Sequence, residues 1–330
     1  GGVVEPRSRK EINRLLFFHH SIHQNSRWEN ETIALENSIE LRDDFSLRGR
    51  CEMFRVNLDS MVAAHQLHQG SNLRGHLVWA RYQHFQRLLS IRNVPTEPED
   101  EEILQFFRDT NDPDLYMERN AMSRSEFRKL VSPLVRSGHL IQDYRGGFRT
   151  VEPLRKIDLW EVKRNYLRKL VEDYPVITLK QVERLAGASF APEEISDVMH
   201  DFEADGTLIK GFLVDDLQDI CWGRLDMLEG MGKIGRTRDL VIPPSDPLIH
   251  YFGSLLRERF GFGSAYLVFH KEEPIAAFKA NTRNDKIELT DFVGDSELEK
   301  EAIRVMKEFA WEHDMPLSGK LFDRIRSRIV

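Results

Sequence analysis

A short helix, a glycine and a tight hairpin follow one another in the middle of the chain, and this pattern limits the possible folds most. Residues 123–126, SRSE, form a capping box, in which two side chains satisfy N–H groups of the first helical turn. Apolar residues then recur at helical spacing until Gly138. The next residues, 140–151, predict two strands around an Arg-Gly-Gly turn.

A second copy of the pattern follows directly. The segments LRKLVEDYPVIT, LKQVERLAG and APEEISDVMHDFEADG predict three helices, the last stopped by Gly206, and TLIKGFLV predicts the start of a second hairpin. A helical unit followed by a hairpin is typical of a winged helix, a helix-turn-helix variant whose hairpin is the wing. The two copies therefore predict tandem winged-helix domains over residues 121–157 and 158–232.

The last third of the chain has a different pattern. After a basic linker and a predicted helix at 246–260, the segments AYLVFH, PIAAFKA and KIELTDF predict short strands. A strongly patterned helix follows over residues 295–314. These elements predict a small antiparallel β-barrel or sheet closed by a helix over residues 233–330. The predicted fold class is mainly α with β.

Residues 1–120 predict a helical unit. Residues 8–23 are amphipathic behind a Ser, and an acidic, Pro-containing start precedes a helix at about 98–110. Residues 54–69 and 75–91 predict two further helices, separated by the turn-forming sequence Gly-Ser-Asn.

Charge is unevenly distributed along the chain. The net charge of −7 argues against a uniformly basic surface, yet residues 60–96 contain no Asp or Glu. Residues 192–206 show the reverse, with six carboxylates and no Lys or Arg, so the second winged helix is expected to support the architecture. DNA contacts are predicted in the first winged helix and in the carboxylate-free segment, at Arg74, Arg81, Arg124, Arg128, Lys129, Arg145 and Arg149.

Several classes of protein are disfavoured by the sequence. No apolar run is long enough for a membrane span, and two isolated cysteines favour a reducing compartment. Histidines occur at helical spacing, but no Cys or carboxylate accompanies them at ligand spacing. We therefore predict no metal site, no cofactor and no membrane partner, and a cytoplasmic location with the nucleoid.

Two segments carry a resemblance to known families. Residues 243–280, PPSDPLIHYFGSLLRERFGFGSAYLVFHKEEPIAAFKA, contain a Pro-x-Asp-Pro turn, an aromatic Gly run and a strand pair in that order. They resemble the C-terminal part of the winged-helix DNA glycosylases of the AlkZ and YcaQ type. Residues 206–228, GTLIKGFLVDDLQDICWGRLDML, are similar to a segment in the C-terminal region of Lhr-type large helicases. The resemblance covers residues 120–315 in order of elements.

The glycosylase family has a Gln-apolar-Gln or Gln-apolar-Asp/Glu motif, followed by a run resembling LALWAR. Gln66-Leu67-His68 and then HLVWAR at 76–81 match it in part, with His68 in place of the second amide or carboxylate. The resemblance implies that Gln66 orients a water molecule at the sugar of an extruded nucleotide. His68 would act as a base when neutral, whereas its charged form would oppose the developing sugar cation.

Two interpretations of function stay open. Under the first, the chain is a DNA glycosylase that recognises alkylated or crosslinked bases and hydrolyses the N-glycosidic bond. Under the second, it is a non-catalytic DNA-binding module, either the C-terminal part of an Lhr-type helicase or a winged-helix regulator. The chain begins without Met and has no GxxxxGK[ST] loop, so a helicase motor would lie elsewhere in a longer chain. Both interpretations make double-stranded DNA, damaged or intact, the partner.

Overall fold

Three β-sheets packed against helices organise the part of the chain that the structure describes. The structure is a computed structural model and describes residues 4–20, 22, 43–53, 55, 57–64 and 66–329. Nearly all strand pairs are antiparallel, and helices separate the sheets along the sequence. The predicted combination of helices with antiparallel sheets is confirmed. None of the helices in these ranges combines the length and the apolarity that a bilayer crossing needs.

The N-terminal elements are helices followed by a hairpin and one more helix. They are α1 (Arg9–His19), α2 (Gly49–Met53), α3 (Leu58–Ala64), β1 (Leu67–Ser71), β2 (Leu77–Arg81) and α4 (Tyr82–Arg92). The Ser8 side chain accepts a hydrogen bond from the Glu11 N–H at 3.2 Å, so α1 begins where the sequence predicts. Its predicted extension to residue 23 lies partly outside the described residues.

The prediction of two helices over residues 54–69 and 75–91 is wrong for residues 67–69 and 77–81, which form strands. Helix α3, the β1–β2 hairpin and helix α4 occupy this region instead. Asn72 closes the hairpin turn, because its side-chain oxygen accepts from the N–H groups of Arg74 and His76 at 3.0 and 2.9 Å. The Gly-Ser-Asn sequence therefore ends a strand and starts a turn, and does not separate two helices.

The first sheet combines this hairpin with the hairpin at 140–150. The elements of the region are α5 (Glu101–Asp109), α6 (Pro113–Arg119), α7 (Arg124–Arg136), β3 (Leu140–Gln142) and β4 (Phe148–Thr150). Strand order is β2-β1-β3-β4, and β1 meets β3 where Gln69 lies opposite Gln142. The capping box at the start of α7 is confirmed. The sheet thus joins strands from both sides of the domain boundary predicted at residue 120.

The second unit repeats helices followed by a hairpin. Its elements are α8 (Leu159–Glu172), β5 (Val176–Thr178), α9 (Leu179–Ala186), α10 (Pro192–Ala204), β6 (Ile209–Gly211) and β7 (Cys221–Gly223). The three predicted helices are confirmed, and the last ends just before Gly206, whose φ is +80°. Strand β5 lies inside a segment predicted as helix, and it pairs with β7 at the edge of a sheet ordered β5-β7-β6.

The C-terminal part is a five-stranded sheet that curls into a half-barrel under a helix. Its elements are α11 (Leu225–Glu229), β8 (Leu240–Ile242), α12 (Leu248–Tyr251), α13 (Gly253–Leu255), β9 (Tyr266–His270), β10 (Glu273–Arg283), β11 (Lys286–Gly294), α14 (Glu299–Glu312), β12 (Leu317–Ser318) and α15 (Lys320–Arg328). The predicted strands and closing helix are confirmed. The helix predicted at 246–260 is broken into α12, α13 and a π-helical turn at Leu256–Phe260.

Candidate catalytic pair and nucleic-acid interface

Gln66 lies in the turn between α3 and β1, with its side chain exposed. Its φ is 53°, in the left-handed region that non-glycine residues rarely adopt. Its N–H donates to the Ala63 carbonyl at 3.2 Å. The turn therefore fixes the backbone of Gln66 while the side-chain amide reaches solvent. Such strained positions are concentrated at functional sites, and they also occur in ordinary tight turns.

His68 follows on β1, half-buried and opposite Ala80. Its Nδ1 is 3.1 Å from the Gln66 carbonyl oxygen. Because a carbonyl only accepts hydrogen bonds, the neutral ring donates from Nδ1 and keeps Nε2 as an acceptor. Burial lowers the pKa of His68, and the Arg149 cation lowers it further, against smaller opposing effects of the Gln66 carbonyl and Asp143. His68 is therefore neutral at neutral pH, with Nε2 able to take a proton.

Strand register places Arg149 of β4 on the same face of the first sheet as His68. Strand β1 meets β3 at Gln69 and Gln142, and Ile141 of β3 lies opposite Arg149. Side chains alternate between the two faces of a strand, so His68, Ile141 and Arg149 share one face. The sheet thus brings together two residues that are far apart in sequence and that the sequence analysis assigned to different roles.

Arg149 is held in place by an aromatic ring of α4. Its guanidinium carbon lies 3.7 Å from the centre of the Tyr82 ring, a cation–π contact. The Tyr82 hydroxyl accepts a hydrogen bond from the Glu152 N–H at 3.0 Å, which fixes the ring against the chain after β4. Arg149 is exposed, and its charge faces solvent beside the candidate pair of Gln66 and His68.

The turn between β3 and β4 is built by Asp143. Its Oδ1 accepts hydrogen bonds from the N–H groups of Arg145 and Gly147 at 2.9 and 2.8 Å. Gly146 has a φ of +85°, which only glycine adopts without strain. The Arg145 guanidinium lies over the Tyr144 ring, and its Nε donates to the Tyr144 hydroxyl at 3.0 Å. The tip therefore presents a cation and an aromatic ring, both exposed.

Three predicted DNA contacts lie on the outer side of α7. The helix buries Phe127, Val131 and Leu134, which leaves the opposite side to solvent. Its exposed basic residues are Arg124, Arg128 and Lys129. Within the described residues no ion pair joins any of these three to a carboxylate, so their charges are available to a polyanion.

Arg74 and Arg81 lie in less open positions. Arg74 is half-buried in the β1–β2 turn, with its Cγ 3.4 Å from the position that a Cβ on Gly187 would take. Arg81 is half-buried at the end of β2, opposite Leu67. Both side chains interact within the protein. They therefore have a structural use in addition to any contact with DNA.

The acidic helix α10 is paired with basic residues of α8. Three ion pairs join them at 3.1, 3.6 and 3.3 Å: Lys163–Glu194, Arg164–Asp201 and Arg168–Asp205. Such partly exposed pairs each contribute about 0–1 kcal/mol. Three of the six carboxylates of this acidic run thus face cations of a neighbouring helix. The supporting role expected of the second unit stays a prediction.

Several of the other described histidines are packed against neighbouring rings or hydrogen-bonded inside the protein. His76 stacks on His250 with ring centres 5.9 Å apart, and His84 stacks on Tyr166 at 6.2 Å. His20 is buried, with Nε2 2.8 Å from the Asp173 carbonyl oxygen. His23 and His65 lie outside the described residues. In the described part of the chain, no three His, Cys, Asp or Glu side chains come together as metal ligands.

Sequence reasoning missed Tyr82, Asp143 and Tyr144 as components of this region. Tyr82 was assigned to the interior of a predicted helix. Nothing in the sequence around Tyr82 indicated that its side chain would lie beside β4. Asp143 lies two residues before the Arg-Gly-Gly sequence, and an Asp at the start of a turn is a recognised turn signal. That signal was available in the sequence.

A helical N-terminal part, two helix–hairpin units and a curled C-terminal sheet together define the fold. The chain is similar in structure to the Streptomyces sahachiroi DNA glycosylase AlkZ, with a TM-score of 0.66 and 12% identity, over 96% of this chain and 100% of that chain. Neither protein-family models nor curated sequences give a match. The resemblance stated from the sequence is confirmed for the fold. The likeness to Lhr-type helicases stays a prediction.

Proposed function

We propose that the chain is a DNA-binding repair protein that hydrolyses the N-glycosidic bond of alkylated or crosslinked bases. The observation that carries the proposal is the placement of Gln66 and neutral His68 beside an exposed cationic hairpin. The shared fold with a DNA glycosylase supports it independently. A fold can host many functions, so the proposal depends on the site.

DNA binding in this proposal uses the first unit as a winged helix. Helix α7 would enter a groove with Arg124, Arg128 and Lys129, and the β3–β4 hairpin would be the wing that carries Arg145 and Arg149. Both elements present basic side chains to solvent. The second unit would be a supporting winged helix, because three of its six clustered carboxylates pair with cations of α8 and the others would repel phosphate.

The proposed chemistry requires a nucleotide turned out of the duplex, at a cost of a few kcal/mol. Gln66 would then hold a water molecule near the sugar carbon through its exposed amide. His68 Nε2 would accept a proton from this water, since Nδ1 already donates to the Gln66 carbonyl. A neutral imidazole does not repel the positive charge that develops on the sugar. An alkylated base leaves as a neutral group, so it needs no strong general acid.

The test is release of free base from duplexes that carry an alkylated purine, uracil or an interstrand crosslink. We expect the wild type to release the alkylated purine, and Gln66→Ala and His68→Ala to be slower by roughly 10²-fold, the lower range of general-base effects. His68→Asp should keep activity, because a carboxylate also activates water and stabilises a sugar cation. Equal rates for wild type and Gln66→Ala would remove Gln66 from the mechanism.

DNA binding is tested separately by fluorescence anisotropy at several salt concentrations. Replacing Arg128 and Arg145 with Ala should weaken binding and reduce the salt dependence, because each lost phosphate contact lowers the slope by about one. Arg9→Ala, which removes an exposed charge from α1, is the matched control. An unchanged slope in the double variant would contradict the assignment of α7 and the wing.

A non-catalytic DNA-binding module is the second candidate. It is favoured by His68, which stands where the glycosylase motif has an amide or a carboxylate. Salt-dependent binding to duplex DNA, without base release from any of the three lesions, would support the non-catalytic module. An Lhr-type module would also require helicase sequence elsewhere in a longer chain, whereas a winged-helix regulator would bind a defined undamaged sequence tightly.

A further inference from the structure

Trp311 has the largest exposed fraction, 82%, among the large apolar side chains of the described residues. It lies on the last turn of α14, whose buried side packs Met306, Phe309 and Ala310 against the C-terminal sheet. Single exposed apolar residues are common on soluble proteins. Trp311 differs because it lies beside a groove of about 430 Å³.

The groove is formed by α14, the segment that leads to β12, and α15. Its apolar walls include Trp311, Met315, Pro316 and Phe322, and its polar groups are Lys307, Asp314 and Arg326. No residue of the first sheet lines it. A groove of this size accommodates a ligand as large as a nucleoside.

The charged side chains that line the groove are two cations, Lys307 and Arg326, and one carboxylate, Asp314. Lys307 precedes Trp311 by one helical turn on α14, so the two side chains lie on the same side of the helix. The neighbouring carboxylates of α14 are occupied, Glu308 by Arg304 at 3.0 Å and Glu312 by Arg238 at 2.8 Å. On the opposite wall, α15 carries four basic residues and one carboxylate: Lys320, Arg324, Arg326 and Arg328 against Asp323. Two of these cations have carboxylate partners, Arg326 with Asp323 at 3.5 Å and Arg328 with Glu299 at 3.6 Å.

We propose that this groove binds one unpaired nucleotide of a DNA strand. The base stacks on Trp311, and the phosphates on either side of it meet Lys307 and Arg326. An exposed aromatic ring and two cations that line one groove match the base and phosphate groups of a single strand. In a duplex the faces of each base are covered by its neighbours, so only an unpaired base can reach the ring. The site goes beyond the proposed excision function and can exist without it.

The test uses the full chain with a labelled short oligothymidylate and a blunt duplex of the same length. Loss of base–aromatic stacking should weaken single-strand binding of Trp311→Ala by about tenfold or more. Trp311→Phe should stay within about threefold of the wild type, because Phe also offers an aromatic face. Duplex binding should be unchanged in both variants. Folding is not at risk, since the side chain is almost fully exposed.

Tryptophan fluorescence gives a second readout, which reports directly on Trp311. Oligothymidylate should quench tryptophan emission of the wild type, and Trp311→Phe should abolish that part of the quenching. Lys307→Ala and Arg326→Ala should reduce the salt dependence of single-strand binding. Lys300→Ala, which removes the same charge from α14 outside the groove, should not.

Two results would overturn the proposal. One is full single-strand affinity and unchanged quenching after replacement of Trp311. The other is concentration-dependent self-association of the wild type that Trp311→Ala abolishes, since this would assign the groove to a second copy of the chain. Loss of oligothymidylate binding in Trp311→Ala with normal base release would confirm the groove and leave the excision site untouched.

Discussion

His68 is the residue whose surroundings bear most directly on function. Its burial and the charge of Arg149 both disfavour the imidazolium form, so the pKa of His68 is lowered. A hydrogen bond from Nδ1 to a carbonyl fixes the tautomer and directs the free lone pair to Nε2. The same surroundings that suit a base in glycosidic hydrolysis also suit an inert, half-buried histidine, so titration and activity have to be measured together.

Replacing Arg149 with Ala should raise the pKa of His68 toward its ordinary value, because the change removes a cation that opposes protonation. Burial remains, so the pKa should stay below the ordinary value. NMR titration of the histidine ring protons measures this shift. Arg136→Ala, at the exposed end of α7, is the control and should leave the titration unchanged. An unaltered pKa in Arg149→Ala would show that the two side chains do not interact.

Gly70 shows how closely β1 packs on its neighbours. A Cβ at this position would lie 2.6 Å from Ile141 Cγ2 and 2.7 Å from Phe85 Cε1. Gly70→Ala should therefore destabilise the protein by about 1–3 kcal/mol, the usual cost of overpacking a core. Gly230→Ala, where a Cβ would meet no atom within 4 Å, should change the stability by less. Urea unfolding of both variants makes the comparison, and equal stabilities would contradict the packing argument.

At the scale of elements, local sequence signals predicted α7, α10, α14 and the three long strands of the C-terminal sheet. Capping residues, apolar spacing and glycine stops are local, so one sequence is enough to detect them. The β1–β2 hairpin was missed because residues 61–81 are rich in helix formers. Five residue pairs join β1 to β2, and β1 also pairs with β3, far along the chain, a contact that no local propensity reports. Local sequence signals therefore identified Gln66 and His68 as candidate residues. They could not place these residues at the start of a hairpin in the first sheet.

The end of α14 contains a titratable group that should make stability depend on pH. His313 packs between Phe45 and Phe309, with ring centres 5.0 and 4.7 Å away. Burial lowers the pKa of His313 to about 4, and the Arg48 and Arg238 cations add to the effect. In the unfolded chain the pKa of a histidine is about 6.5. Between these values the unfolded chain binds more protons than the folded one.

The contribution of His313 to stability should be complete above pH 6.5 and should be lost as the pH falls toward 4. The loss should reach at most about 3 kcal/mol, from 1.36 kcal/mol per pKa unit. Urea unfolding between pH 7.5 and 4 measures it. His313→Phe keeps an aromatic ring and removes the proton, so its stability should fall less over this range. Parallel curves for the two proteins would contradict the assignment.

At the scale of the whole molecule, a buried ion pair joins the N-terminal helices to the C-terminal part. Arg50 of α2 and Asp246, which precedes α12, are 1% and 3% exposed, and Arg50 Nη1 lies 2.8 Å from Asp246 Oδ2. Arg50 also donates to the carbonyl oxygens of His20 and Ser46 at 2.9 and 3.0 Å. Segments almost two hundred residues apart therefore share one desolvated charge pair.

Asp246→Ala should destabilise the protein by about 3–5 kcal/mol, because it leaves the Arg50 charge buried without a counterion. Asp323→Ala breaks an exposed pair with Arg326 and should cost less than about 1 kcal/mol. Thermal and urea unfolding give both values. If the Asp246 variant were as stable as the Asp323 variant, the buried pair would not tie the two parts together.

The strand order β2-β1-β3-β4 has a consequence for how the chain can be divided. In a fragment of residues 121–157 the strand β3 would lose its partner β1 and become an edge strand, at which another chain could pair. A fragment that ends before β3 would leave β1 with the same defect. During synthesis β1, which carries His68, cannot pair with β3 until residues 140–142 have emerged. The β1–β2 and β3–β4 hairpins belong to one sheet, so dividing the chain between them would separate Gln66 and His68 from Arg149.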